Sequence, residues 1–285
     1  MKKILITGAD SYIGTSFENW IRPYKDLKTD TVDTLNYNWK KADFSNYDVV
    51  FHVAGLAHTN PKPSMKNLYY KINTELAVQI AEYAKAHGVK QFVFMSSIIV
   101  YGNNNTYITK DTLPTPQDFY GDSKLQADIK LLKLCDKSFN VSIIRPPMIY
   151  GKGSKGNYRK LSKLSQVTPI FPSISNQRSM LHIDNLCEFV KLIIENNESG
   201  IFHPQNKEYV STPNLVKTIA SIHKKNILLI GAFNPLLKYL SNKIVMFNKL
   251  FGDMVYEKSL SDYMNFKYCV RNFEKSIELT EETEK

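Results

Sequence analysis

The chain has 285 residues, 43% of them hydrophobic and 22% charged, values that exclude a disordered segment and leave room for one large α/β domain or a larger and a smaller lobe. A formal charge of +10 raises the case of a nucleic-acid partner, but the lysines are spread along the chain with no dense basic run and no interleaved aromatics, which excludes that partner and leaves a solvated surface, or a field that welcomes a small polyphosphate-bearing substrate. Cys135, Cys187 and Cys269 are scattered without ligand spacing, so no metal site and no disulfide scaffold is expected, and the setting is a reduced, cytoplasmic one.

"KKILIT" reads as a strand; its apolar part is too short for a signal peptide, and a turn follows at once. Ile13, Phe17, Trp20 and Ile21 then recur at helical spacing. "TDTVD" is the second strand, and "YDVVFHVAG" the third, with the unbroken apolar run of a strand covered on both faces. A helix is expected from Ile72 to His87, with Ile72, Leu76, Ile80 and Tyr83 on one stripe and Gly88 as its C-terminal cap. "QFVFMSS" is a fourth strand. "FYGDSKLQADIKLLKLC" is a helix with Leu125, Ile129 and Leu132 aligned, and "NVSIIRPP" a fifth strand closed by two prolines.

This alternation predicts an α/β fold, a doubly wound parallel Rossmann-type sheet over residues 1–150. From Gly151 strands become hard to read as Gly, Ser, Lys and Asn increase. Residues 151–285 are expected to form a smaller C-terminal substrate lobe whose chain returns in part to the first domain. Its longest apolar stretch, "NILLIGAFNPLL", is interrupted by Gly231, Asn234 and Pro235 and falls short of an integral membrane span. With "KYLSNKIVMFNKLFG" it reads as a lobe helix or lid, or as a segment lying on a membrane surface.

"GADSYIG" follows the first strand. Gly8 permits a tight turn, Gly14 permits close helix–strand packing, and the helix N-terminus offers N–H groups and a positive dipole to a pyrophosphate. Ser11 adds a Cβ where backbone should approach the phosphates, although its hydroxyl can donate to a phosphate oxygen. Asp33, at the end of the second strand, can accept from an adenosine ribose and repel a 2′-phosphate, which favours NAD over NADP. Asp30 is its rival, and Lys40 and Lys41 keep NADP admissible.

Tyr120 and Lys124 are four apart on one helix face. The lysine ammonium is expected to lower the phenol from its ordinary pKa near 10, fitting it for proton transfer at neutral pH; a surface Tyr–Lys contact would show the same spacing. Ser96 and Ser97 arrive at the carboxyl end of the fourth strand, which in a doubly wound sheet faces the ligand crevice. There they can bond a substrate oxygen or cap the next turn.

"ITGADSYIG", Asp33, "ADF", "HVAG", Asn73, "SSIIVYG", "YGDSK", "RPPMIYG", "KGN", "RSMLHIDN" and "VST" run in order over nearly the whole chain. This series resembles the extended short-chain dehydrogenase/reductase family, the NAD-dependent epimerase/dehydratase group that acts on nucleotide sugars. The departure is Ser11, against the family's G-x-x-G-x-x-G. The resemblance implies Tyr120 as general acid/base, Lys124 bonding the nicotinamide ribose and tuning Tyr120, and Ser97 as the catalytic Ser/Thr. It implies cofactor contacts from Gly8, Ser11, Tyr12, Ile13 and Gly14, from Asp43 and Phe44 flanking adenine, from Ala54 and Gly55, from Asn73 in support, and from Pro147 and Met148 near the nicotinamide. Asn157 and Arg178 resemble the residues that hold the sugar nucleotide's diphosphate, a role suited to the planar fork of an arginine. A homodimer pairing through helices that here would be 64–87 and 119–135 is implied as well.

Sugar 4,6-dehydratases of this family carry Asp-Glu directly after the catalytic Ser/Thr. Ile98 and Ile99 stand at those positions and cannot transfer protons, which argues against dehydration and against the decarboxylase variant. A 4-epimerase and a 4-keto reductase remain. "FMSSI" followed by "IIRPPMIYGKGSKGNY" looks most like the 4-reductases of bacterial capsule and O-antigen sugar assembly. The preferred expectation is therefore a reductase of a UDP-linked 4-keto-6-deoxyhexose. A non-catalytic dinucleotide-binding regulator is the alternative of another class; such proteins commonly lose the tyrosine or the lysine retained here.

Overall fold

A computed structural model describes residues 1–34, 39–57, 62–232, 234–235 and 251–282. Contacts divide the chain into two units: Met1–Gly102 with Leu113–Pro146 and Leu186–Pro204, and Asn103–Thr112 with Pro147–Asn185 and Gln205–Lys285. In chain order the principal helices are α1 (Tyr12–Ile21), α2 (Lys66–Tyr69), α3 (Ala77–Ala86), α4 (Phe119–Leu132), α5 (Asn157–Val167), α6 (Ile183–Glu195), α7 (Thr212–Ile222) and α8 (Phe273–Glu281).

Among the described residues, the first unit is built on a six-stranded sheet, every neighbouring pair parallel: β1 (Lys2–Thr7), β2 (Leu27–Val32), β3 (Val49–His52), β4 (Gln91–Met95), β5 (Asn140–Ile144) and β6 (Gly200–Phe202). The spatial order is β6-β5-β4-β3-β1-β2. The chain leaves β1 for β2 on one side, then crosses to β3 on the other, so the topological switch lies between β1 and β3. In an open α/β sheet that is where a ligand crevice opens at the carboxyl ends of the strands.

Side chains alternate across the strands. Leu5, Val50, Phe92, Phe94, Val141 and Ile143 pack on one face with Ile80, Ala81 and Ala84 of α3 and with Ala127 and Leu131 of α4. On the other face Phe17 of α1 meets Phe51 edge to face, ring centroids 5.1 Å apart. Trp20 of α1 donates to Glu188 of α6 over 3.0 Å. Helices thus cover both faces, as the sequence pattern predicts. β6 is too short to show in that pattern.

Two helices depart from expectation. Winding begins at Lys66, and Tyr70–Leu76 forms a π-helical stretch before α3. The wider turn buries Asn73 and Thr74 and leaves Ile72 facing a cleft instead of the core. Gly88 ends α3 at φ +80°, as a C-terminal cap does. In α4 the stripe Leu125, Ile129 and Leu132 is not the buried face: Ile129 is 43% exposed, whereas Lys124, Ala127, Asp128 and Leu131 are buried. Two ionisable side chains have taken the inward positions, a local conflict that natural sequences carry at functional sites.

The second unit has its own core, in which Tyr150, Tyr158, Leu161, Met180, Leu215 and Ile219 pack together. Its strands run in short parallel pairs: Met148–Tyr150 with Met180–His182, Ile170–Pro172 with Leu228–Ile230, and Tyr107–Ile108 with Val255–Tyr256. Leu228–Ile230 belongs to the apolar stretch expected to form a lid or a surface segment, and is a strand. Residues 233 and 236–250 of that stretch lie outside the described residues. No helix among the described residues is long and apolar enough to cross a membrane.

Candidate active site

A cleft of about 540 Å³ opens at the switch point, lined by Gly8, Ala9 and Ser11 after β1, by Asp33 and Thr34 after β2, and by Val53, Ala54, Gly55 and Leu56 after β3. Its far wall is Leu68, Lys71, Ile72, Glu75, Leu76 and Gln79, of which Lys71, Glu75 and Gln79 escaped the sequence analysis because they recur along a helix with no motif of their own. Gly8 holds φ +107°, and a Cβ there would lie 2.9 Å from the backbone nitrogen of Ala54, so the turn requires glycine. Ser11 is the N-cap of α1: its Oγ accepts from Gly14 N–H over 3.2 Å, which leaves its own proton for a ligand. Tyr12, Ile13 and Gly14 form the first turn of α1 behind the loop.

The size, the glycine turn at a helix N-terminus and the acid at the rim fit an adenosine and a pyrophosphate. Asp33 lines the cleft. Its rival Asp30 lies within β2 and accepts from the hydroxyl of Tyr47 over 3.1 Å. Asp43 caps the short helical turn Phe44–Asn46. The Asp43 carboxylate is held low by hydrogen bonds from Ser45 and Asn46. The Phe44 ring is fully buried and packs edge-on against Tyr83 at 5.0 Å, which leaves its backbone as the part that can flank an adenine. An apolar ring next to Trp39 and Tyr83 gains more by joining the core.

Asn73 acts as a clamp. Its Oδ1 accepts from Leu56 N–H over 2.8 Å, and its Nδ2 donates to Ser123 Oγ over 3.1 Å. Ser123 Oγ donates in turn to the carbonyl of Tyr120 over 2.8 Å. The π-helical turn thereby fastens the Gly55–Leu56 loop to the helix that carries Tyr120 and Lys124.

Ser97 caps the short helical turn Ile98–Tyr101, accepting from Ile99 N–H over 3.3 Å, and its hydroxyl acts on the Tyr120 phenol, lowering its pKa. Lys124, buried on α4, donates from Nζ to the carbonyl of Met95 over 2.7 Å and lies 4.6 Å from the centre of the Phe94 ring. The expected tuning of the phenol is not what this arrangement does. Burial pushes Tyr120 up to about 12, Ser97 pulls it back, and Asp118 and Tyr69 raise it further. The lysine ammonium spends itself on Met95, and burial draws it down to about 8.

In the second unit Met148, Asn157 and Arg178 line one narrow crevice with Leu161, Met180, Val210, Thr212 and Leu215. Arg178 is fixed by paired backbone bonds with Val210, each 2.9 Å, and its Nη1 donates to the carbonyl of Gly252 over 2.9 Å. Pro147 directly precedes the Met148–Tyr150 strand. The structure therefore brings Met148, Asn157 and Arg178 together, as it brings together Ser97, Tyr120, Lys124 and Asn73 in the first unit. Among the described residues no group of three or more His, Cys, Asp or Glu side chains could hold a metal ion.

Residues 4–206 match the model of the NAD dependent epimerase/dehydratase family. The chain belongs to this family. It is 32% identical, over an alignment of 251 positions that covers 77% of this chain, to the UDP-glucose 4-epimerase of Vibrio cholerae, of which it spans 75%. Several further relatives are matched over about half of their own length. Among solved structures it is similar to the UDP-N-acetylglucosamine 4-epimerase of Bacillus cereus, with a TM-score of 0.77 at 15% identity over 98% of this chain and 97% of that one. It is also similar to the dTDP-4-dehydrorhamnose reductase of Bacillus anthracis in complex with NADP, with a TM-score of 0.66 at 20% identity over 81% and 86%.

Proposed function

We propose that this family member is an NAD(P)-dependent oxidoreductase acting at C4 of a nucleotide sugar, with Ser97, Tyr120 and Lys124 as its catalytic residues. One observation carries the reading: Tyr120 and Lys124 share one face of α4, the Ser97 hydroxyl acts on the phenol, and Lys124 Nζ lies 3.2 Å from where a Cβ on Gly55 would stand, in the wall of the cleft that the Gly8 turn and Asp33 line. When bound, the nicotinamide supplies or takes the hydride at sugar C4. This chain's residues supply the proton: Tyr120 gives it to, or takes it from, the C4 oxygen, and Ser97 holds that oxygen and the phenol in line. Lys124 and Asn73 hold the cofactor side of the site, and Asp33 at the rim favours NAD over NADP. Arg178 and Asn157 bind the substrate's diphosphate.

The reaction we propose is reduction of a UDP-linked 4-keto-6-deoxyhexose. Reduction needs the phenol to give its proton to the C4 carbonyl oxygen, and "FMSSI" followed by "IIRPPMIYGKGSKGNY" resembles the 4-reductases. Epimerisation begins by withdrawing a proton from the C4 hydroxyl. The 4-epimerase reading is favoured instead by the Vibrio cholerae relative. Incubation with a UDP-4-keto-6-deoxy sugar and NADH or NADPH, then with UDP-galactose and no added cofactor, separates them. Oxidation of added cofactor with the keto sugar supports the reductase, and interconversion of UDP-galactose without added cofactor supports the epimerase. Dinucleotide binding with turnover in neither arm would point to the non-catalytic class. We further propose a homodimer paired through residues 64–87 and α4, whose exposed Ile129 would be covered; sedimentation measures it.

A further inference from the structure

Two consecutive residues where β4 ends are tied to α4. The Met95 carbonyl accepts from Lys124 over 2.7 Å, and Ser96 Oγ donates to Asp128 Oδ2 over 3.0 Å. Ser97 follows directly and acts on the Tyr120 phenol. Tyr120, Lys124 and Asp128 succeed one another every fourth residue and share one helix face. The proposed chemistry uses Ser97, Tyr120 and Lys124 and leaves the tie between Ser96 and Asp128 without a role.

Asp128 is fully buried. Its Oδ2 also accepts from Arg145 Nε over 2.9 Å. Arg145 Nη1 donates onward to Tyr101 Oη over 2.8 Å, and Tyr101 Oη lies 2.8 Å from His203 Nε2. Asp128 Oδ1 is buried with no hydrogen-bond partner. A carboxylate kept solely for its ion pair would be expected to meet the arginine fork with both oxygens, since an unmatched oxygen in the interior is costly. Here the arginine takes one oxygen and turns away to Tyr101, and the field of the carboxylate falls on Lys124, one turn back along α4.

We propose that Asp128 is the positioning residue of this site: one oxygen clamps Ser96, and with it the strand end that presents Ser97, while the carboxylate serves as the buried counter-charge to Lys124 one helical turn back. This rests on the roles proposed above for Ser97 and Lys124. Burial draws Lys124 down to about 8 and Asp128 pulls it back. Burial raises Asp128 to about 6, opposed by Arg145, Ser96 and Lys124, so both are ionised at neutral pH. His52 of β3, which also acts on Lys124, is fully buried and depressed to about 3. His203 beside Arg145 is likewise depressed to about 3, and burial raises Tyr101. These three are neutral, which leaves Arg145 as the further charge bearing on the pair.

The test is trace labelling of Lys124 with acetic anhydride across pH, read by peptide mass spectrometry without substrate or cofactor. The expected midpoint is about 8. Asp128→Asn should lower it by about 1–3 pH units and draw the alkaline limb of turnover down with it. If that variant does not fold, Asp128→Asn with Arg145→Met replaces the pair by neutral groups of similar size, an exchange that proteins commonly tolerate; a downward shift is again expected, smaller because the repelling charge of Arg145 goes as well. A folded variant with a lower Tm and an unmoved midpoint would overturn the proposal and leave Asp128 a structural partner of Arg145. Failure of the assays on Tyr120 would not move this midpoint, so the two claims fail separately.

Discussion

Gly55 and Lys124 stand so close that a Cβ built on the glycine would lie 3.2 Å from the lysine Nζ, and 3.1 Å from Asn73 Oδ1. Gly55→Ala must therefore displace the ammonium, the clamp or both. The expected outcome is a folded protein whose dinucleotide dissociation constant, measured by fluorescence titration, rises as its turnover falls. Unchanged binding and turnover would show that the site tolerates the displacement.

Lys124 costs the fold stability while charged, because burial lowers its pKa to about 8 from an ordinary value near 10.4. Between those two values the unfolded chain binds the proton more tightly, so stability rises with pH across this window, and below it the cost is present in full. Lys124→Met should abolish turnover, remove that rise, and leave the protein at least as stable at pH 7. Urea unfolding of both proteins across pH measures it. A variant that keeps the rise would assign it to another group.

Arg178→Ala should weaken sugar-nucleotide binding and leave the dinucleotide alone. Loss of a charge-assisted contact to phosphate costs roughly 1.5–3 kcal/mol, which isothermal titration with each ligand resolves. Equal weakening of both ligands would contradict the placement of Arg178.

Ser11→Gly removes the cap accepting from Gly14 over 3.2 Å, a change from serine to glycine that costs a few tenths of a kcal/mol. It also removes the Cβ that limits approach to the pyrophosphate. Tighter dinucleotide binding with a nearly unchanged Tm is expected. Weaker binding would mean that the hydroxyl contributes more than the Cβ costs.

Of the first five strands, β1, β3, β4 and β5 were legible as largely apolar runs between turn signals, whereas β2 is mostly polar; the Gly8 turn, Ser97, Tyr120 and Lys124 were legible because their spacing follows local geometry. The rest depended on partners distant in sequence. Leu125 and Ile129 look like a core stripe in isolation, yet Lys124 and Asp128 take the inward positions instead because Met95, Ser96 and Arg145 satisfy buried charge there. That the Phe44 ring belongs to the core was not legible, because Tyr83, which packs on it, lies far along the chain. The π-helical turn left no local trace, since Asn73 and Thr74 are drawn inward by Leu56 and Ser123. The second unit is made of two- and three-residue strands, too short for a period to show.

The most direct test of the account is to supply NADH deuterated at the transferred position together with a UDP-4-keto-6-deoxyhexose, and to locate the label in the product by NMR. The account predicts one deuterium at sugar C4, with Tyr120→Phe binding the cofactor normally but slowed by about 10²–10⁴-fold. Product formed without deuterium at C4, or a Phe variant that turns over at the normal rate, would contradict it.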